Sequence, residues 1–127
     1  MSTLAEKQRE LDASRAVAVT AAFLEAVCEL ADDWTITAPQ VNLLLQLRIH
    51  GEIAQQDLER FTRVKKSANS RNIQKLGMGE NPLKDPGPGY VETSRDLKDR
   101  RVQVVRLTQR GLHLMEEAAK RAARFLS

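Results

Sequence analysis

Cysteine is almost absent: Cys28 stands alone among 127 residues, so no internal disulfide forms, as expected of a reducing compartment. Aromatic residues are scarce as well, with three Phe, one Trp and one Tyr, while Ala, Leu and Val carry most of the apolar content. That balance suits packed helices better than a sandwich of sheets. No stretch approaches the roughly 18 to 20 uncharged apolar residues of a membrane span, and Met1 to Glu10 is too charged for a secretory signal, so a cytoplasmic protein is expected. The sequence also lacks a glycine-rich phosphate loop, a nucleophile elbow and a clustered acid–base pair, which argues against an enzyme and leaves no cofactor to hold. His50 and His113 have no Cys or His partners at metal-ligand spacing, so no metal site is expected. The length fits one domain, 1–127.

What is present is a segregated charge. Met1 to Glu59 holds four bases against ten acids, whereas Arg60 to Arg110 holds thirteen bases against five acids. One part of the molecule is thereby suited to a polyanion and another is not, and nucleic acid is the commonest such partner.

Apolar residues Leu4, Leu11, Val19, Phe23, Val27 and Leu30 recur at helical separations and predict one long amphipathic helix over Thr3 to Leu30. At 1.5 Å per residue it would reach about 40 Å, further than a small core covers, so part of its face is expected to meet a second subunit. Thr37-Ala38-Pro39-Gln40 reads as an N-cap, a first-turn proline and a capping-box glutamine. The helix it opens buries Val41, Leu44, Leu45 and Leu47 and stops at His50-Gly51. A short helix from Ala54 to Phe61 follows, then a turn at Thr62-Arg63.

The next helix, Lys65 to Leu76, divides its faces: Val64, Ala68, Ile73 and Leu76 point inward, with Lys65, Lys66, Asn69, Ser70, Arg71, Asn72 and Lys75 outside. No acid occurs from Arg60 to Gly79. A merely solvated helix usually mixes signs, because opposite charges three or four apart support it. Gly77 to Gly89, with four glycines and three prolines, should be an irregular loop. Tyr90 to Thr93 and Val102 to Leu107 are strand-like and flank the charged segment Ser94 to Arg101, a β-hairpin with a basic tip. Thr108 caps a last helix bearing Leu112, Met115, Ala119, Ala122 and Leu126. The fold class is therefore mainly α with a small β-hairpin wing. Two short helices joined by a turn, the second of them basic, and then a hairpin make a winged helix-turn-helix.

The stretch Asp57-Leu58-Glu59-Arg60-Phe61-Thr62-Arg63-Val64-Lys65-Lys66-Ser67-Ala68-Asn69-Ser70-Arg71-Asn72-Ile73-Gln74-Lys75-Leu76 resembles the helix-turn-helix of the MarR family of bacterial transcription regulators. Asp96-Leu97-Lys98-Asp99-Arg100-Arg101, followed by Val105-Arg106-Leu107-Thr108-Gln109-Arg110-Gly111, resembles its wing and wing-to-helix junction, and the likeness spans about Thr37 to Gly111. The resemblance implies a homodimer joined through helices in 1–36 and 108–127, with a winged helix-turn-helix over 37–107. It also implies two recognition helices on successive major grooves of a pseudo-palindromic double-stranded DNA site, and a repressor. Ser67, Asn69, Ser70 and Arg71 lie where base-edge contacts are expected, and Lys65, Lys66 and Lys75 suit phosphate. Lys98, Arg100 and Arg101 supply the wing, with Asp99 holding an arginine by an ion pair.

Asn69 stands where the family often has a small apolar residue: it is either a base reader, the reading preferred here, or a polar residue needing a buried partner. The Gly77 to Pro88 stretch adds roughly ten residues to the family pattern. Cys28 reads as a small core residue before a thiol sensor. Phe23 and Trp34 read as core before the lining of a small-molecule effector pocket. Two other functions compete with the regulator: a winged-helix adaptor that binds another protein, and an architectural or replication-linked DNA binder of a mobile element.

Overall fold

A computed structural model describes residues 1–126. Helix α1 runs over Leu4–Ala31 and is opened by a capping box in which Thr3 accepts from the Glu6 backbone N–H and the Glu6 carboxylate accepts from that of Thr3. Helix α2, Ala38–His50, begins the same way with Thr37 and Gln40 and has Pro39 in its first turn. Gly51, at φ +81°, ends it. A strand β1 (Glu52–Ala54), a single 3₁₀ turn (Gln55–Asp57) and helix α3 (Leu58–Thr62) occupy the region expected to be one short helix. Helix α4 spans Lys66–Leu76, strands β2 and β3 span Val91–Arg95 and Gln103–Leu107, and helix α5 spans Gln109–Ala123.

The chain divides into two compact units: 1–34 with 116–127, and 35–115. In the second unit the three strands form an antiparallel sheet ordered β1-β3-β2, with Ile53 opposite Val105 and Thr93 opposite the same Val105 from the other side. The third strand corrects the expected two-stranded wing. Exposed Glu52, buried Ile53 and half-buried Ala54 alternate as a strand does, but three residues are too few to register as a period. Leu43, Leu44, Leu47, Leu58 and Val105 are fully buried in this unit, and Leu45, expected inside, is half-buried.

The Leu107-Thr108-Gln109-Arg110-Gly111 segment joins the sheet to α5 by close contact. The Thr108 hydroxyl donates to the Gly89 carbonyl at 2.6 Å and accepts from the Gly111 N–H at 3.1 Å, while the Thr108 N–H donates to the Tyr90 carbonyl at 3.0 Å. Any Cβ on Gly111 would overlap the Tyr90 carbonyl oxygen. The glycine is there because α5 starts against another backbone.

Residues 77–89 hold no helix or strand, as their composition leads one to expect, but they close on themselves through backbone bonds. Tyr90 N–H donates to the Leu76 carbonyl, Gly89 to Gly77, and Gly87 to Met78, at 2.7–2.8 Å, so the segment leaves and returns along one hydrogen-bonded neck. Gly79, at φ +90°, approaches so closely that a Cβ there would lie 2.6 Å from the Gly87 nitrogen. A turn closed by Asn81 and Asp85 forms the tip and leaves Leu83 97% exposed.

In the unit formed by 1–34 and 116–127, every residue of α1 up to Val17 is exposed, including Leu4, Leu11 and Val17, and only Ala26 and Val27 of this helix are buried. Glu29 and Arg121 form an ion pair at 3.4 Å. Trp34, expected in the core, is 66% exposed, and Phe23 is half-buried. Along α5 the buried residues are Gly111, Leu114, Met115, Ala118 and Ala122, so the inward stripe keeps Met115 and Ala122 of the expected one and replaces the rest. Leu112, Ala119 and Leu126 are exposed. No helix among the described residues is long and apolar enough to cross a membrane.

Candidate nucleic-acid interface

Helix α4 buries Asn69, Ile73 and Leu76, an i, i+4, i+7 stripe, and presents Lys66, Ser67, Ser70, Arg71, Gln74 and Lys75 to solvent. Lys65, expected as the first helical residue, is the N-cap, with extended ψ 150°, and its side chain is exposed. No side chain caps the first turn of α4. Its first N–H groups and two adjacent lysines therefore offer an anion both the positive end of a helix and full charges.

Asn69 is corrected: it is 3% exposed and cannot face a base edge from that position. Its Nδ2 donates to the Thr62 hydroxyl at 3.0 Å and to the Val64 carbonyl at 2.9 Å. Thr62, itself 4% exposed, donates to the Leu58 carbonyl at 3.0 Å and accepts from the Val64 N–H at 3.2 Å. The pair thus ties the last turn of α3, the connecting turn and the first turns of α4 into one network, which sets how α4 is presented. A buried amide is tolerated because its partners are backbone and hydroxyl groups that need it.

The connecting turn passes through Arg63, at φ +62° in the left-handed region, where its N–H donates to the Glu59 carbonyl. Glycine is the usual occupant of such a helix end. Arg63 is exposed next to Lys65 and Lys66; the sequence placed it in the turn and not in the site, although the acid-free stretch from Arg60 to Gly79 includes it.

The wing tip joins β2 to β3. Asp96 N–H donates to the Val102 carbonyl, and the Asp96 carboxylate accepts from the Lys98 N–H at 3.0 Å. Asp99 receives the Arg101 backbone N–H and two nitrogens of its guanidinium at 3.1–3.2 Å, and the Arg95 guanidinium donates to the Arg100 carbonyl. These bonds, the Arg101 side chain's first, hold the Asp99 carboxyl below the usual aspartate range. Lys98, Arg100 and Arg101 are all exposed at this tip. Behind it, Arg106 of β3 donates to Glu92 of β2 at 2.9 Å and to Glu52 of β1 at 3.1 Å, which raises its own pKa and ties the three strands on one face.

Between α4 and the sheet lies an open cleft of about 860 Å³, walled by Ser70 and Gln74 on one side and Thr93 and Gln103 on the other. The structure thus sets a neutral flank of α4 and the strands of the wing on either side of one channel.

No protein-family model matches the chain, and no curated protein matches it by sequence. Solved structures do match in fold. One from Mycobacterium tuberculosis, RV1404, superposes with a TM-score of 0.71 at 22% identity over 99% of this chain and 78% of its own. A mutant Escherichia coli MarR complexed with operator DNA gives a TM-score of 0.58 at 22% identity, over 98% and 82% of the two chains. The fold is that of the MarR regulators. Bordetella bronchiseptica BpsR, whose DNA binding is regulated by 6-hydroxynicotinic acid, shares this MarR fold with a TM-score of 0.56 and 23% identity over 99% of this chain and 81% of its own.

Proposed function

We propose that this protein is a homodimeric, sequence-specific double-stranded DNA-binding transcription regulator, and that it represses by occupying a promoter and excluding polymerase. The observation that carries the reading is the acid-free outer face of α4, set beside a wing whose tip exposes Lys98, Arg100 and Arg101. Helix α4 enters the major groove, where Ser67, Ser70 and Arg71 reach base edges and Lys65, Lys66 and Lys75 meet phosphates. Lys98 and the two wing arginines reach the minor groove or backbone. Asn69 leaves the contact set and becomes the residue that positions α4.

Segment 37–107 is the DNA-binding part, and 1–36 with 108–127 the dimerisation part. The first seventeen residues expose Leu4, Leu11 and Val17 and have no packing of their own to justify a helix of this length. Symmetric pairing covers them and doubles the basic footprint. A second reading, an adaptor that binds another protein, is favoured by the 77–89 segment. Its rigid neck holds up Leu83, and it contains Glu80 and Asp85, the two acids between Glu59 and Glu92.

Selection of bound sequences from random duplex DNA, with the mass of the protein recorded in solution, tests the proposal. An enriched inverted repeat bound by a dimer supports it. Retention without enrichment, with steep salt dependence, would replace it by an architectural binder, and no retention would favour the adaptor.

A further inference from the structure

The cleft beside α4 has an unexpected chemistry. Six side chains that line it, Gln55, Ser70, Gln74, Thr93, Gln103 and Thr108, are neutral hydrogen-bonding groups, the Thr108 hydroxyl being engaged with Gly89 and Gly111, and no Lys or Arg lines it at all. Its one charged lining residue, Glu92, is already paired with Arg106 at 2.9 Å. The acids of the 77–89 segment, Glu80 and Asp85, stay out of it, while Gly77, Met78, Gly79, Pro82 and Gly89 of that segment line it. The floor, Ile73 and Val91, is buried and apolar.

We propose that this cleft seats one sugar–phosphate strand of the duplex, and that Gln55, Thr93 and Gln103 are uncharged backbone contacts that fix the register of the protein on DNA. The inference rests on the DNA-binding reading above. A helix in the major groove and a wing at the adjacent minor groove necessarily straddle the strand that separates the two grooves. In this chain the space between them is the cleft. Amide and hydroxyl groups are ordinary phosphate partners, and such contacts orient a protein without reading sequence. The Gln55 amide donates to the Ser70 hydroxyl at 3.5 Å, a contact long enough to be exchanged for a phosphate oxygen at little cost.

Neutral contacts differ measurably from basic ones. Removing a lysine or arginine that neutralises a phosphate lowers the salt slope by about 0.9, whereas removing an uncharged donor releases no fewer counterions and leaves the slope alone. The test uses the full-length protein and three variants, Gln55→Ala, Thr93→Val and Gln103→Ala, with Arg101→Ala as the charged comparison. Affinity is measured by titration against the selected duplex and an unrelated one, at four salt concentrations. Each neutral variant is expected to bind both duplexes about threefold to tenfold more weakly with the wild-type slope. Ethylation of a phosphate between the base pairs protected by α4 and by the wing should block the wild type and leave Gln103→Ala largely indifferent.

Thr93 and Gln103 are exposed, so these changes leave the core untouched. Wild-type binding with all three variants within twofold of it would overturn the cleft assignment and leave the DNA-binding reading standing. A changed sequence preference would make these residues base readers and overturn it too. A wild type that binds neither duplex would overturn both.

Discussion

Replacing Asn69 separates two mechanisms that a binding assay alone would confuse. In Asn69→Ala the amide's two donated bonds, to Thr62 Oγ1 and to the Val64 carbonyl, disappear, and the Val64 oxygen of a half-buried residue loses its partner. At about 0.5–1.5 kcal/mol net per bond, with a further cost for any acceptor left unsatisfied, the expected loss is about 2–3 kcal/mol. Asn69→Asp keeps the shape, removes the donor and adds a buried charge, and should cost at least as much. Thr62→Val removes the hydroxyl that bridges the Leu58 carbonyl, the Val64 N–H and the amide. Because the two residues share one network, the double variant should be less destabilised than the sum, by about 1 kcal/mol. Urea unfolding at fixed protein concentration, followed by far-UV circular dichroism, measures all four proteins. DNA affinity should fall on every sequence alike, through mispresentation of α4. Unchanged stability in Asn69→Ala, together with lost discrimination at a single base pair, would refute the reasoning and restore Asn69 as a base reader.

Four other outcomes are expected. Gly111→Ala forces a methyl group into the Tyr90 carbonyl and should cost about 2–3 kcal/mol in the same urea assay, or prevent folding. Arg63→Gly relieves a left-handed residue and should stabilise the fold by about 1 kcal/mol, while its DNA affinity and salt slope both fall, so that stability and binding move in opposite directions. Leu83→Ser, at a fully exposed tip, should leave stability within about 0.5 kcal/mol and DNA affinity unchanged; a loss of either would show that the tip is packed or touches DNA. Asp99 has a folded pKa below its unfolded value of about 3.9, so its contribution is present above that value and is lost as pH falls through the lower folded one. Carboxyl-carbon NMR should therefore show Asp99 titrating below an exposed aspartate, and Arg101→Ala, which removes the side-chain bonds and keeps the backbone one, should move it up toward the ordinary range.

The elements that sequence made legible are those whose signals are local. Thr37-Ala38-Pro39-Gln40 contains its own cap, proline and return bond, and the helix begins there in the structure. Thr108 and Gly111 similarly lie within one turn of each other, and their contacts fall on two adjacent residues, Gly89 for the Thr108 hydroxyl and Tyr90 for Gly111. Strand β1 was not legible because its reason for existing is 52 residues away: Ile53 is a strand residue once Val105 is beside it. The 77–89 segment was legible as irregular, because its glycines and prolines exclude helix; its closed neck was not, because the approach of Gly79 to Gly87 exists only once the chain has returned on itself.

Asn69 was misplaced for a more instructive reason. An amide on a basic helix next to serine and arginine looks like part of the outer face, and the helical period alone allows it to lie at the boundary. What turns it inward is the need of others: the connecting turn leaves the Val64 carbonyl without a helical partner, and Thr62 has only one proton to give. A short apolar residue would fill the same space and leave that carbonyl unanswered. The chain also places a left-handed arginine, not glycine, in this turn, so the α3–α4 connection here accepts backbone strain and is held by side-chain hydrogen bonds. The geometry of the recognition surface is thereby set from behind, by two buried polar residues that touch no ligand, and its charge is set in front by residues that contribute nothing to the core.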